Sequence, residues 1–271
     1  MARYDWITFL TDYGLEDSYV GVCHGVMARI APHARVIDVS HAVGPQDVRQ
    51  GAMVLAQSVD YMPDAVHLAV VDPGVGTGRG QVALEAGGRV LVGPDNGLLV
   101  WAADALGGIE RAHALVNPAY QLSPVSRTFH GRDVFAPAAA HLAAGVEPAA
   151  LGPELDPASL VRLPPPTATV DGDRLVAEVV SVDHFGNMLL SFGHDELERA
   201  GLRLGDPVEI RAGDRSFSAT VGETFAAVPP GALVVHEDSS RRIAISLNRG
   251  RAAERLHART GESVVLSRAA R

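Results

Sequence analysis

The chain lacks the features that mark a secreted, membrane-spanning or nucleic-acid-binding protein. It has one cysteine, Cys23, so it cannot form an internal disulfide. No run of about 18 apolar residues is present, and the first residues lead into a strand-like run without a signal-peptide pattern. A net charge of −9 argues against binding nucleic acid through a basic face. We therefore expect a cytoplasmic protein without membrane or nucleic-acid partners.

Aromatic side chains and metal-binding patterns are also scarce. Aromatic residues make up 5% of the chain and hydrophobic residues 47%, so the core is expected to consist mostly of Ala, Val and Leu. None of the 11 histidines belongs to an HExxH or a closely spaced Cys/His pattern, which predicts no zinc or iron site. Cys23 falls within a helical pattern and is interpreted as a small packed side chain.

The first 150 or so residues alternate between strand-like and helix-like patterns. Strands are predicted at 6–10, 36–39, 66–71, 82–85 and 89–92, the last two as a hairpin, and helices at 18–30, 45–59, 98–106 and 132–144. This alternation predicts an α/β domain with a mostly parallel central sheet that is covered by helices on both faces.

A triple proline at 164–166 changes the pattern and predicts a domain boundary, with an α/β domain at 1–165 and a smaller domain at 166–271. Beyond it the apolar runs are short and separated by glycines and charged turns. They lie at 175–182, 188–191, 207–211, 216–221, 232–236 and 243–247. They predict an antiparallel β domain, either a sandwich or a barrel.

Two buried strand patterns end on an aspartate followed by glycine, and these aspartates are the best functional lead. Asp12 follows the first strand and Asp72 follows the strand at 66–71. Open α/β sheets bind small molecules at the carboxyl ends of their strands, so both carboxylates are expected in one pocket. Asp12 would accept hydrogen bonds from ligand hydroxyls such as a ribose diol. Asp17 is either a second ligand contact or the N-cap of the first helix.

A glycine-dense segment at 72–80 and a histidine before a helix are the next candidates. The segment lacks the features of a dinucleotide or P-loop fingerprint. Its glycines are expected to bring Arg79 back to Asp72, and this pair is either structural or functional. His130 precedes the predicted helix at 132–144, where the helix dipole favours a neutral imidazole. It either relays a proton or only satisfies the helix start.

Two further segments in the second domain carry side chains suited to a ligand. At 183–187, Phe185 offers a flat face for a base and Asn187 offers a donor and an acceptor for an adenine edge. The alternative is a hairpin turn with the phenylalanine in the core. At 238–242, Ser239 offers a hydroxyl to a zwitterion, and Arg249 follows the next strand. The alternative here is a solvated turn.

Five segments in order resemble one known family. They are 9–21, 71–76 with Arg79, 93–99, 129–137 and 183–187. The chain is similar to the S-adenosyl-L-methionine hydrolases, also called hydroxide adenosyltransferases, which are relatives of the bacterial fluorinase and chlorinase. The resemblance implies an N-terminal α/β domain, a C-terminal β-barrel-like domain, and a homotrimer with active sites between subunits.

The resemblance also implies a reaction and a set of site residues. S-adenosyl-L-methionine and water would give adenosine and L-methionine, with no metal or organic cofactor. Asp72, Arg79 and His130 would be the catalytic triad. The substrate-binding set would be Asp12 on the ribose, Asn187, Phe185 and Phe225 on adenine, Ser239 near the methionine end, and Asp17, Phe129 and Arg249.

Two positions favour water over halide as the nucleophile. Gly131 stands where the fluorinase has a halide-contacting serine, and Asp72 stands where it has a tyrosine near the ribose. The alternatives are a non-catalytic binder of adenosine or S-adenosylmethionine, a halide transferase, and a phosphatase with Asp12 as nucleophile. The phosphatase is disfavoured because Gly14 replaces the second acid that such enzymes use.

Overall fold

The computed structural model describes residues 4–269. The chain divides into two compact units, the first ending at Leu163 and the second beginning at Pro164. The division falls at the start of the triple proline. Within residues 4–269, no helix combines the length and the apolar character that crossing a membrane requires.

The first unit is built on a seven-stranded mixed sheet with helices between its strands. Its strands are β1 (Trp6–Thr11), β2 (Arg35–Ser40), β3 (Val66–Val70), β4 (Gln81–Ala86), β5 (Arg89–Pro94), β6 (Arg111–Ala114) and β7 (Glu154–Leu155). Its α-helices are α1 (Tyr19–Ile30), α2 (Val48–Ser58), α3 (Val100–Ala105) and α4 (Ala136–Ala143). The strand order is β2-β1-β3-β5-β4-β6-β7, and the four strands β2, β1, β3 and β5 are parallel.

The central strands are apolar because both of their faces are buried. Along β1, Phe9 enters a core with residues of α1 and α4, and the next residue, Leu10, enters a second core with residues of α2 and α3. Both side chains have no exposed surface. The sequence of the strand is therefore a nearly continuous apolar run, as expected for a parallel strand that is covered on both sides. The predicted α/β fold is confirmed.

The order of the parallel strands determines where a ligand can bind. The chain leaves β1 to form β2 on one side of it and then forms β3 on the other side. Loops that leave two such neighbouring strands in opposite directions open a crevice at the carboxyl edge of the sheet. Asp12 directly follows β1, and Asp72 follows β3 after Val71. The fold thus brings both aspartates to one crevice.

The helix predicted at 132–144 begins differently from expectation. Gly131–Phe135 forms a π-helical turn, and the α-helix begins only at Ala136. Pro137 has no N–H with which to bond the carbonyl of Asp133, and that carbonyl instead accepts the N–H of Leu122 at 2.8 Å. The proline therefore favours a wider turn, of the kind that occurs frequently at functional sites.

The second unit is a barrel of seven strands with an eighth strand paired outside. Its strands are β8 (Ala168–Asp171), β9 (Arg174–Val182), β10 (Met188–Leu190), β11 (Pro207–Ala212), β12 (Arg215–Val221), β13 (Leu233–Glu237), β14 (Ile243–Leu247) and β15 (Ser263–Arg268). Two short helices, α5 (His194–Arg199) and α6 (Ala252–Leu256), complete it. The order is β10-β14-β13-β12-β11-β15-β9-β8, and pairing of β10 with β9 closes the ring.

Alternate residues of the barrel strands fill its interior. In β9, Leu175, Ala177 and Val179 enter one core, consistent with the period of two of a strand that has one buried face. The prediction of a barrel-like β domain is confirmed. One pairing departs from the antiparallel expectation, because β12 and β13 run parallel. The chain between them crosses over instead of turning back.

Candidate active site

A pocket of about 360 Å³ lies at the crevice of the first unit. This volume lies within the range of about 300–1,000 Å³ typical of small-molecule sites. Its lining combines carboxylates, a histidine and aromatic rings, and consists of Asp12, Tyr13, Tyr19, Asp72, Val75, Ser126, Thr128, Phe129, His130, Gly131 and Arg132. Such a lining suits a ligand with a flat apolar part and several hydroxyls.

Asp12 is held at the pocket by a backbone contact. The N–H of Gln46 donates to Asp12 Oδ2 at 2.8 Å, and Gln46 adopts a left-handed backbone with φ of 66° to do so. Few residues other than glycine adopt this conformation, so the loop is ordered around the carboxylate. Within residues 4–269, Asp12 Oδ1 has no hydrogen-bond partner. One oxygen is therefore fixed and the other is available to a ligand.

Asp72 and Arg79 form a two-pronged ion pair that is largely removed from water. Arg79 Nε donates to Asp72 Oδ1 at 2.9 Å, and Arg79 Nη2 donates to Asp72 Oδ2. The two side chains are 6% and 10% exposed. Gly76 lies in the turn between them with φ of 76°, a backbone conformation that glycine adopts readily. A larger residue would not fit there, because its Cβ would overlap the carbonyl oxygen of Arg127. The glycine-dense loop thus folds the arginine back as its spacing predicts.

His130 contacts this ion pair and lines the same pocket as Asp72. Its Nδ1 lies 3.0 Å from Arg79 Nη2 and 3.3 Å from the side-chain nitrogen of Gln81. Both neighbours are donors, so Nδ1 is the acceptor and the proton of the neutral ring sits on Nε2. The pKa of His130 is lowered, first by burial and then by the positive charge of Arg79. The helix dipole assumed from the sequence is not needed to explain this neutral state.

Three aromatic rings form the apolar wall of the pocket. Tyr13, Tyr19 and Phe129 lie 5.1–5.9 Å apart between ring centroids, with tilted or edge-on contacts. Burial raises the pKa of Tyr13 well above its usual value, so its hydroxyl stays protonated. A Cβ at Gly131 would overlap that hydroxyl. The absence of a side chain at 131 is what allows the phenol to lie against the backbone there.

The candidate residues of the second unit lie in separate loops. Asp183–Asn187 is a tight hairpin turn in which Asn187 Nδ2 donates to Asp183 Oδ2 at 2.7 Å. Phe185 at its tip is 71% exposed, so the alternative that places this ring in the core is wrong. The amide of Asn187 keeps its oxygen and one N–H for a ligand.

Ser239 and Arg249 do not meet each other in the second unit, and Phe225 lies on a third segment. Phe225 packs edge-on against His236, with ring centroids 4.9 Å apart. Ser239 lies in the loop after β13, whereas Arg249 lies after β14. Because β13 and β14 are antiparallel, these two residues stand at opposite ends of the hairpin, about 15 Å apart at roughly 3.4 Å per residue.

Asp17 is not the N-cap of α1, and some residues of the pocket were missed. Asp17 is exposed and does not line the pocket, and the N-cap position of α1 belongs to Ser18. Gln81 was missed although it follows Arg79 by two residues, because its role depends on where β4 begins. Tyr13 was also missed, and its position directly after Asp12 could have identified it.

Comparison with known proteins gives a consistent relationship over nearly the whole chain. Residues 7–152 match the SAM hydroxide adenosyltransferase N-terminal domain, and residues 177–265 match the C-terminal domain of the same family. An (R)-S-adenosyl-L-methionine hydrolase of Salinispora arenicola is 52% identical over 97% of this chain and 98% of its own. A fluorinase of Actinopolyspora mzabensis is 30% identical over 97% of both chains.

A solved structure agrees with these sequence matches. The crystal structure of a conserved protein from Thermotoga maritima superimposes with a TM-score of 0.90 and is 37% identical. The match covers 97% of this chain and 100% of that one. Together with the two domain matches, this similarity shows that the chain belongs to the SAM hydroxide adenosyltransferase family.

Proposed function

We propose that this protein hydrolyses (R)-S-adenosyl-L-methionine to adenosine and L-methionine. The observation that carries the proposal is the convergence of Asp72, Arg79 and His130 beside a pocket of nucleoside size. The name of the Salinispora relative supplies the substrate and its epimer. A non-catalytic binding protein would have no need for a buried ion pair joined to a neutral histidine at the edge of its pocket.

The reaction needs a water molecule in line with the bond from the ribose C5′ to sulfur. A water oxygen forms a bond to C5′, the C5′–S bond breaks, and its electron pair neutralises the sulfonium. The sulfonium is already a good leaving group, so positioning of the water supplies most of the catalysis, up to roughly 7–11 kcal/mol in well-oriented systems. The released proton must pass to a group beside the water.

The hydrogen bonds of the triad support a different proposed role for each of its members. His130 Nδ1 is engaged by Arg79, so the ring presents Nε2–H and donates to the water oxygen rather than taking its proton. Asp72 is the acceptor, because its carboxylate oxygens each keep a lone pair beyond the bond from Arg79. Arg79 holds both partners and stabilises the negative charge that develops on the water oxygen.

The first unit also supplies the contacts expected for the ribose and for the apolar part of the substrate. Asp12 Oδ2 is fixed by Gln46, and its free oxygen would accept the ribose hydroxyls. Tyr19 and Phe129 would line the path of the substrate chain. Asp17 is proposed to have no direct contact, because its side chain stands outside the pocket lining.

We infer further that the second unit of a neighbouring copy completes each site in a cytoplasmic homotrimer. Phe185 is 71% exposed and would stack on adenine, while the free amide atoms of Asn187 would bond its edge. Phe225, Ser239 and Arg249 would contribute from the same unit. Cys23 is the single cysteine and is a free thiol, which agrees with a compartment where proteins do not rely on disulfides. Light scattering is expected to give three times the 28.5 kDa chain mass.

Product analysis in isotopically labelled water tests the proposed reaction. The protein is incubated with (R)-S-adenosylmethionine in H2¹⁸O, with and without chloride, and the products are separated and weighed by mass spectrometry. The proposal predicts adenosine with one ¹⁸O atom and unlabelled methionine in both conditions. A 5′-chlorinated nucleoside would instead support a halide transferase. Bound and unaltered substrate would support a binding protein.

A further inference from the structure

A second polar cluster lies in the first unit, away from the pocket lining. It consists of His24 on α1, Asp38 on β2 and His41 just after β2, and is called here the imidazole–carboxylate cluster. His24 Nε2 and His41 Nε2 lie 2.8 and 3.0 Å from the same oxygen, Asp38 Oδ1. These three atoms lie within 4.8 Å of one another. The reaction proposed above uses none of them.

The core holds the cluster rigidly. Phe9 on β1 pairs with Asp38 on β2, and the register shifts directly after this pair. The ring of Phe9, which is fully buried, contacts the rings of His41 and His24 at 4.8 and 5.9 Å between centroids. Such register shifts re-aim side chains and are frequent beside functional sites. The two imidazoles are therefore positioned by packing before any ligand arrives.

One nitrogen of the cluster is buried without a well-directed hydrogen-bond partner. His41 is 6% exposed, and its Nε2 makes no hydrogen bond within residues 4–269. The 3.0 Å approach to Asp38 Oδ1 is short, but its direction does not suit an N–H donor. A buried nitrogen left without any partner costs about 1–3 kcal/mol, and a poorly directed contact recovers only part of this cost, so a ligand bound at Nε2 would be favourable.

We propose that His24, Asp38 and His41 bind a divalent first-row transition-metal ion, with Zn²⁺ as the probe. Two imidazole nitrogens and one carboxylate oxygen are ligands that zinc accepts in sites with an open fourth position. Ligand atoms on tetrahedral zinc lie about 3.3 Å apart, given bonds of roughly 2.0–2.1 Å. The observed separations of 2.8 and 3.0 Å need only a small outward movement to admit the ion.

The surroundings of His41 provide the outer contacts that zinc-binding histidines have. Its Nδ1 lies 2.8 Å from Thr11 Oγ1, which fixes the ring and leaves Nε2 for the metal. On the other side, the side chains of His24 and Asp38 are 35% and 43% exposed, so an ion and its water can enter from solvent. The sequence patterns predicted no zinc site because the three ligands come from separate elements.

A bound ion would also tie together the loop that carries Asp12. The hydroxyl of Thr11 accepts the N–H of Tyr13 at 3.1 Å, and the N–H of Gly14 donates to the carbonyl of His41 at 2.8 Å. Thr11 and Gly14, which lie before and after Asp12 in the loop, are therefore bonded directly to the proposed metal ligand His41. The inference itself does not depend on the proposed reaction, because it rests on the cluster alone.

Metal binding to the intact protein tests the inference. Protein free of a histidine tag is stripped with chelator and titrated with Zn²⁺ by calorimetry, with metal content measured after dialysis. The wild type is expected to hold one ion per chain, and His24→Ala and Asp38→Ala to lose at least tenfold in affinity. These two side chains are partly exposed, so both variants are expected to fold.

His194→Ala is the matched control, because His194 is also an exposed histidine beside carboxylates, at 3.5 Å from Glu198 and 3.9 Å from Glu237. It is expected to bind Zn²⁺ as the wild type does. Zn²⁺ should raise the melting temperature of the wild type and of this control, but not of His24→Ala. Absence of binding by the wild type, or equal binding by His24→Ala and Asp38→Ala, would overturn the inference.

Discussion

The two units differ in how complete their functional surfaces are. In the first unit, Asp72 and Arg79 are nearly buried and joined to His130, and the pocket beside them is already shaped. In the second unit, Phe185 is exposed and the loops that carry Ser239 and Arg249 stand at opposite ends of a hairpin.

The difference agrees with the proposed division of labour, in which the first unit carries the chemistry and the second unit recognises the base. Charged groups that act on a reacting atom are most effective when they are already held in place and shielded from water. Neither the side chains nor the solvent then has to reorganise during the reaction. Contacts to a nucleobase can instead be exposed in the free chain, because their apolar surface is buried when the ligand arrives. Substitutions of the first kind of residue should lower turnover, and substitutions of the second kind should weaken binding.

The largest effect is expected from the triad. Arg79→Ala and His130→Ala should each lower turnover by about 10²–10⁴-fold, since orientation and proton transfer are both lost. The dissociation constant for adenosine should change by less than about threefold, because neither residue is proposed to hold the nucleoside. Stopped-assay kinetics and calorimetry measure the two quantities.

Asp64→Asn is the control for a matched Asp72→Asn variant. Asp64 also pairs with an arginine, Arg89, at 3.2 Å, but its side chain is 86% exposed and lies outside the pocket lining. Turnover should be normal in Asp64→Asn and lost in Asp72→Asn. Equal turnover in the two variants would contradict the proposed catalytic role of Asp72 and its triad.

Acid should weaken the first unit through a histidine in its core. His67 on β3 is fully buried, and its pKa is lowered to about 4, first by burial and then by Arg89. The unfolded chain takes up this proton near pH 6.5, before the folded chain does. Stability is therefore highest above pH 6.5 and falls by about 3 kcal/mol as the pH drops to 4. His130, whose pKa is also lowered, acts in the same direction.

Urea unfolding that is monitored by tryptophan fluorescence measures this effect in the first unit. The chain has two tryptophans, Trp6 and Trp101, and both belong to the first unit. The midpoint should shift to lower urea between pH 6.5 and 4 in the wild type, and much less in His67→Leu. An equal shift of the urea midpoint in both proteins would show that another group causes the loss of stability in acid.

Binding of the ribose should depend on Asp12 and not on Asp17. Asp12→Asn removes a charged acceptor from the ribose hydroxyls, which should raise the adenosine dissociation constant by about 10- to 100-fold. Asp17→Asn makes the same chemical change five residues away on an exposed side chain, and should alter it by less than about twofold. If calorimetry gives similar losses for both, the pocket at Asp12 is not the ribose site.

A smaller effect is expected from the contact between Gly131 and Tyr13. Gly131→Ala introduces a Cβ that overlaps the Tyr13 hydroxyl, so turnover should fall by roughly tenfold as the ring is displaced. Tyr13→Phe removes the overlapping oxygen, and the double variant should therefore lose less than the product of the two single losses. Independent, multiplicative losses would mean that the two residues do not interact.

Much of the fold and of the proposed catalytic cluster could be predicted from the sequence. The apolar runs ending at Asp12 and Asp72 located two strand ends, and the rule for open α/β sheets placed them in one crevice. The spacing of glycines between Asp72 and Arg79 indicated a tight loop. Both inferences use local sequence patterns. A short run of apolar residues indicates a buried strand, and closely spaced glycines indicate a tight turn.

The remaining features depend on contacts that local patterns do not record. The π-helical turn before α4 results from Pro137 together with the N–H of Leu122, which is distant in sequence. The contact of Gln81 with His130 joins the start of β4 to a residue 49 positions later in the chain. The edge strand β8 is too short and too exposed to leave an apolar run. The barrel closes because β9 and β10, which a tight turn joins, also pair with the distant strands β15 and β14.

The division of labour is tested most directly by mixing two inactive variants. His130→Ala has a defective first unit and Asn187→Ala a defective second unit, and the two chains are co-expressed so that mixed assemblies form. If a site in a cyclic trimer combines units from two copies, about a quarter of the sites receive both intact units, and turnover returns to about a quarter of the wild-type value. If the mixture stays as inactive as its parts, neighbouring copies do not share sites, and the account is contradicted.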